Sequence, residues 1–197
     1  YLLVIVGALV CMLASAHVNS SMNKYKKVAN RSGITGAECA RRILNNEGLY
    51  QVQIECLNNN QGDHYDPRSN TVRLSYDNYH YASITAVGVA AHECGHALQH
   101  AYSYAPLNMR SVLVPVVNFT SKWVTWILLG GILLLETFPQ LMLAGIIMYA
   151  LTTLFAFITL PVEINASTRA VLWLEQAGIT DEDTTPMASS ALRSAAY

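Results

Sequence analysis

The chain predicts a mainly α-helical integral membrane protein in which transmembrane helices carry a small α+β domain with a short β-hairpin. Three observations carry this. Of 197 residues, 52% are hydrophobic and only 13% charged, with a mean hydropathy of +0.27, too apolar for one water-soluble domain of that length. Two stretches, 112–135 and 141–160, are long and apolar enough to cross a bilayer. Between the N-terminus and these spans, apolar residues recur first at helical and then at strand spacing. The net charge of -1 with a pI of about 6.6 gives no argument for a nucleic-acid partner.

Residues 1–16 are almost all apolar but fall short of the roughly 20 needed to span a bilayer. They are expected to form a transmembrane helix trimmed at its start, and the gene product is expected to be longer at both ends. A signal peptide would carry its positive charges before the apolar run, whereas Lys24, Lys26, Lys27 and Arg31 follow it. Basic residues concentrate on the cytoplasmic side. Residues 17–111 are therefore expected in the cytoplasm, and Glu136 to Gln140, which hold no basic residue, outside it. Two spans in succession return the chain to the side it left, so 161–197 also belong to the cytoplasm.

Within the first cytoplasmic segment, Thr35-Gly36-Ala37-Glu38 has the T-x-x-E pattern of a capping box and opens a helix to about Glu47, closed by Gly48. The period then changes. Gln51 to Cys56 and Thr71 to Tyr76 alternate polar and apolar residues, and the Asn/Gly/Asp/Pro-rich stretch between them is expected to join them as a hairpin. Tyr79 to Tyr102 is helical in character. Pro161 is expected to kink a helix that runs to Gln176 and ends at Gly178, and Thr185-Pro186 to start a last helix. Cys11, Cys39, Cys56 and Cys94 form no C-x-x-C pair and are expected to be free thiols.

The helix over 79–102 holds His92-Glu93-Cys94-Gly95-His96, an H-E-x-x-H pattern. Residues four apart lie on one helical face, so His92 and His96 can reach one zinc ion, with Glu93 beside it to accept a proton from water. Burying these groups in lipid would be costly, which places the helix in a zincin-like domain outside the bilayer. A catalytic zinc needs a third protein ligand. His100 lies eight residues from His92, about 12 Å along the axis, too far to share an ion whose ligands sit about 2 Å from it. His64 stands on a loop and remains an alternative. Glu163 is the better candidate: it returns to the same side of the membrane, and Ala166, Ser167 and Ala170 give its helix a small-residue face for close packing.

Val89 to Ala101, Asp63-His64-Tyr65-Asp66-Pro67 and Val162-Glu163-Ile164-Asn165-Ala166-Ser167 together resemble the YugP-type neutral zinc metallopeptidases of bacterial membranes. The resemblance spans about Gly33 to Ala170 in the same motif order. It implies one catalytic zinc at His92, His96 and Glu163, with Glu93 catalytic. More distantly, the plan is similar to the HtpX and CAAX-protease class, gluzincin-like enzymes whose glutamate sits in E-x-x-A-D. Ser167 stands where that class has an Asp that orients a histidine ligand, so Asn165, Ser167 or another residue must take that work.

The function expected from these residues is a membrane-anchored zinc endopeptidase of the bacterial cytoplasmic membrane, with its active site facing the cytoplasm and peptides or membrane-associated proteins as substrates. His64, Tyr65, His80 or Arg169 could stabilise the oxyanion, and His100 could support the site without touching the metal. The alternatives are an intramembrane protease of the site-2 type, which would need an Asp-bearing motif that the later spans lack, and a zinc-bound scaffold, for which Glu93 would have no use.

Overall fold

In a computed structural model, which describes residues 2–58 and 61–196, local sequence signals set most of the elements. Asn59 and Asn60 of the predicted strand connection, and the two terminal residues, lie outside the described residues. The elements in chain order are α1 (Leu2–Tyr25), α2 (Gly36–Asn46), β1 (Gln53–Leu57), β2 (His64–Asp66), β3 (Thr71–Ser75), α3 (Tyr76–His80), α4 (Ile84–Ala101), α5 (Ala105–Leu133), α6 (Pro139–Gln176) and α7 (Thr185–Ala196). They fall into two units, one of Tyr1–Tyr102 with Ile164–Tyr197 and the other of Ser103–Glu163.

The first unit is built on α4. Its N-cap is Ser83, whose hydroxyl accepts from the Ala86 amide at 3.1 Å and satisfies one of the helix's unpaired donors. Nearly the whole helix is buried, with Ile84, Val87, Ala91, Cys94 and Leu98 in a core shared with Cys39, Ala40, Ile43 and Leu44 of α2. Helix α2 starts with both halves of the predicted capping box, Thr35 Oγ1 accepting from Glu38 N and Glu38 Oε2 from Thr35 N. Gly48, just past its end, has φ +74°, the left-handed turn that stops a helix.

The strands differ from the expected hairpin. β1 and β3, the two segments with alternating residues, pair in parallel, and β2 pairs antiparallel with β3, giving the order β1-β3-β2. Parallel neighbours need a long connection, and the stretch between β1 and β3 is long enough to supply one. A hairpin is present, but it joins β2 to β3. Asp66 makes that turn: its carboxylate accepts from Arg68 N at 2.9 Å, Ser69 Oγ at 2.8 Å and Arg73 Nη1 at 2.7 Å. These bonds, that from Arg73 most of all, hold its pKa well below the usual carboxylate range. At three residues β2 is too short for period-2 patterning to show. Val72 and Leu74 of β3 point into the core, as alternation requires.

The expected single helix over 79–102 is broken. Tyr81 to Ser83 leave helical geometry, Asn30 N donates to Ala82 O at 2.8 Å, and Ala29 bridges Ser83. The segment after α1 thus competes for backbone groups that a continuous helix would use. Helix α1 extends to Tyr25, and Met22 O accepts from Thr85 Oγ1 at 2.9 Å.

Cys39 and Cys94 are buried, and all four cysteines are free thiols. Burial pushes the Cys39 thiol up to about 12 and that of Cys94 well above its ordinary value. An alkylating reagent at about pH 8 is therefore expected to modify the half-exposed Cys56 and spare Cys39 and Cys94 until the protein unfolds, as peptide mass mapping would show. Rapid labelling of Cys94 in the folded protein would contradict this packing.

The second unit pairs α5 with the first part of α6, both apolar and long enough to cross a membrane. Their contact is made by glycines. A Cβ on Gly131 would stand 2.8 Å from Met142 Cα, and one on Gly145 would stand 2.6 Å from Leu128 Cδ2. Such close approach is how helices pack where burial from water gives no drive. Outward from this contact Val112, Trp126, Leu133 and Phe157 are exposed, a surface suited to lipid.

Candidate metal centre

His92 and His96 lie at the edge of buried α4, one turn apart and partly exposed, between the buried residues Ala91, Glu93, Cys94 and Gly95. Their rings meet edge to face, 86° apart, with the two Nε2 atoms 3.1 Å from each other. Two nitrogens bound to a tetrahedral zinc at about 2.0–2.1 Å stand about 3.3 Å apart, so this pair fits the ion with little adjustment. The opposite ring nitrogens are engaged by protein: His92 Nδ1 lies 3.1 Å from Ser167 Oγ, and His96 Nδ1 lies 3.0 Å from Gln99 Oε1. Outer hydrogen bonds of this kind fix how a ligand ring points.

Close helix packing brings Ser167 to His92. Gly95 on α4 faces Ala166 on α6, where a Cβ on Gly95 would stand 3.1 Å from both Ala166 Cα and its carbonyl oxygen. Ala166, Ser167 and Ala170 are buried, as the small-residue face of this helix predicts. The close approach lets a short hydroxyl reach the ring.

Behind His96 the contacts continue. Gln99 Nε2 donates to Asn165 Oδ1 at 3.1 Å, and Arg169 Nε donates to the same oxygen at 3.1 Å. Asn165, expected from sequence as a candidate supporting residue, and Arg169, expected as a candidate oxyanion donor, thus connect to His96 through Gln99. Gln99 was not foreseen, although its place three residues after His96 on one helix is a spacing at which side chains meet. Glu93 is 7% exposed, held within the core side of the helix next to His92.

The other sequence candidates are placed elsewhere in the unit. His64, on β2, has Nδ1 2.8 Å from Gly62 O. Tyr65 OH donates to Asn70 Oδ1 at 2.7 Å and stands 3.2 Å from His100 Nδ1, tying β2 to the last turn of α4. Burial pushes the pKa of the Tyr65 hydroxyl up, so it holds its proton more tightly. His80 packs against the rings of Tyr76 and Tyr79 at 4.6 and 4.8 Å. Asp63, in the same motif, accepts from Ser75 N at 2.6 Å and Asn78 Nδ2 at 2.8 Å, and so anchors the loop before β2.

Glu163 closes the second unit, where Arg110 Nη1 donates to its Oε1 at 2.9 Å. Arg110 was not foreseen either; a lone arginine ahead of an apolar span carries no pattern that marks it.

A family model described as "Putative neutral zinc metallopeptidase" matches residues 1–197. A curated relative from Bacillus subtilis (strain 168), described as "Putative membrane protease YugP", is 49% identical over 157 residues, covering 80% of this chain and 69% of that protein. No solved structure matches. With an H-E-x-x-H helix whose imidazoles face each other at zinc-ligand spacing, the chain belongs to the neutral zinc metallopeptidase family, hydrolases that use zinc.

Proposed function

We propose that this chain is a membrane-anchored endopeptidase acting at the cytoplasmic face, with zinc held by His92, His96 and Glu163 and with Glu93 as general base. The observation that carries the reading is the pair of facing Nε2 atoms on α4, each ring tethered at its other nitrogen. Glu163 precedes Ser167 by four residues in the sequence, the spacing of one helical turn, which supports it as the third ligand. Zinc, when bound, supplies a Lewis acid and lowers the pKa of water. Glu93 takes a proton from the attacking water and later delivers it to the leaving amine. Glu93 stands next to His92 on α4, where a carboxylate can serve both steps.

The position of α4 favours this reading over cleavage inside the bilayer. Its buried face packs on α2 and the sheet rather than lying within one of the two apolar helices. The free edge of β2 lies on the strand packed toward α4, and an extended peptide added there would be bound through its backbone. The cytoplasmic side is supported by Lys24, Lys26, Lys27 and Arg31 at and beyond the end of α1.

Metal analysis of the purified full chain tests the ligand set. Glu163→Ala and His96→Ala are expected to lose stoichiometric zinc on dialysis, while His64→Ala keeps it. Retention of zinc by Glu163→Ala, or its loss from His64→Ala, would replace Glu163 in the set.

A further inference from the structure

We propose that Arg169, Asn165 and Gln99 form a one-way hydrogen-bond relay that fixes His96 with its proton on Nδ1, and so keeps Nε2 as the nitrogen that can bind metal. The inference deepens the proposed ligand role of His96 and takes its functional meaning from it. It follows from donor and acceptor chemistry alone, without assigning any hydrogen in advance.

A guanidinium has only donors to offer. The Asn165 atom 3.1 Å from Arg169 Nε must therefore be the carbonyl oxygen, which settles the orientation of that amide. The same oxygen faces the Gln99 side chain at 3.1 Å, so Gln99 must turn its NH2 toward it. That leaves the Gln99 oxygen 3.0 Å from His96 Nδ1, and an amide oxygen can only accept. A neutral imidazole carries one N–H, so Nδ1 holds it and Nε2 keeps its lone pair.

Gln99 is 2% exposed, so water is a poor substitute there for Asn165 or His96. His92 is treated differently. Its Nδ1 meets the Ser167 hydroxyl, which both donates and accepts, so that contact holds the ring and accommodates either tautomer. With the lone pair on His96 Nε2, the 3.1 Å contact between the two Nε2 atoms is donated by His92, which its hydroxyl partner at Nδ1 allows. Arg169, Asn165 and Gln99 are positioning residues: they act on the site through His96.

The test uses the full chain in lipid nanodiscs, labelled with 15N-histidine, stripped of zinc and held at about pH 8.5, where imidazole is neutral. Nitrogen shifts, assigned with a His96→Ala control, read the tautomer directly, and zinc competition with a chelator reads affinity. Wild type is expected to show His96 in the Nδ1–H form. Arg169→Met and Asn165→Leu are expected to give mixed tautomers and zinc binding weaker by about 10-fold or more. Arg169→Lys, which restores a donor, and Gln99→Glu, which still accepts from Nδ1, are expected to keep the wild-type tautomer.

An Nε2–H signal for His96 in wild type overturns the proposal. So does an unchanged tautomer in a folded Arg169→Met chain; Arg169 is partly exposed, which makes this the variant that tolerates substitution best. If the tautomers respond as expected but His96→Ala still holds zinc, the relay stands and the ligand assignment falls.

Discussion

Glu93→Gln is expected to keep one zinc per chain and to lose peptide hydrolysis by about 10²–10⁴-fold. The exchange preserves the shape of the side chain and removes its ability to take a proton. It leaves untouched the ring contacts of His92 and His96 with Ser167 and Gln99. Because Glu93 is 7% exposed, an amide of the same shape fits the space, and the fold should persist. Zinc content, a thermal melt and single-turnover cleavage of an unfolded protein substrate, measured on one preparation, separate the effects. Wild-type turnover by the variant would remove Glu93 from the chemistry. Zinc in wild type with no cleavage of any unfolded substrate would point instead to a zinc-bound scaffold.

The second large effect is expected at Gly95. Gly95→Val places a branched side chain where even one methyl would stand 3.1 Å from the Ala166 backbone. Backbone cannot rotate away as a side chain can, so α4 and α6 must separate. Overpacking of this kind costs about 1–3 kcal/mol. The same displacement draws Ser167 from His92 and Asn165 from Gln99, so zinc affinity should fall by about 10-fold or more. Melts should be compared on zinc-free protein, because bound metal raises apparent stability by mass action. Gly95→Ala should show a smaller effect of the same sign. A valine variant with the wild-type melting temperature and zinc affinity would show that Gly95 does not set the helix spacing.

Much of this arrangement was legible because it depends on residues close in sequence. The capping box of α2 needs only Thr35 and Glu38, three positions apart, and it forms as predicted. The two apolar helices follow from length and composition. The small face of α6, with Ala166, Ser167 and Ala170, was visible as spacing, and it packs as spacing suggested. The strand pairing was not legible. β1 and β3 alternate as hairpin strands would, but alternation reports which face is buried and says nothing of direction. The direction was decided by β2, which was too short to show a pattern and is held by Asp66 and Asp63.

The same division runs through the site. By itself the sequence determined that two imidazoles and a carboxylate stand on one helix at zinc spacing, since 3.6 residues per turn place positions four apart on one face. Only the tertiary structure decided what holds those imidazoles. Ser167 reaches His92 because Gly95 and Ala166 let two helices come close, and Asn165 meets Gln99 because the same approach sets their faces together. The spacing of the two histidines follows the local period of a helix, whereas the orientation of their rings depends on which residues of another helix come within about 3.1 Å, a distance that no local pattern encodes.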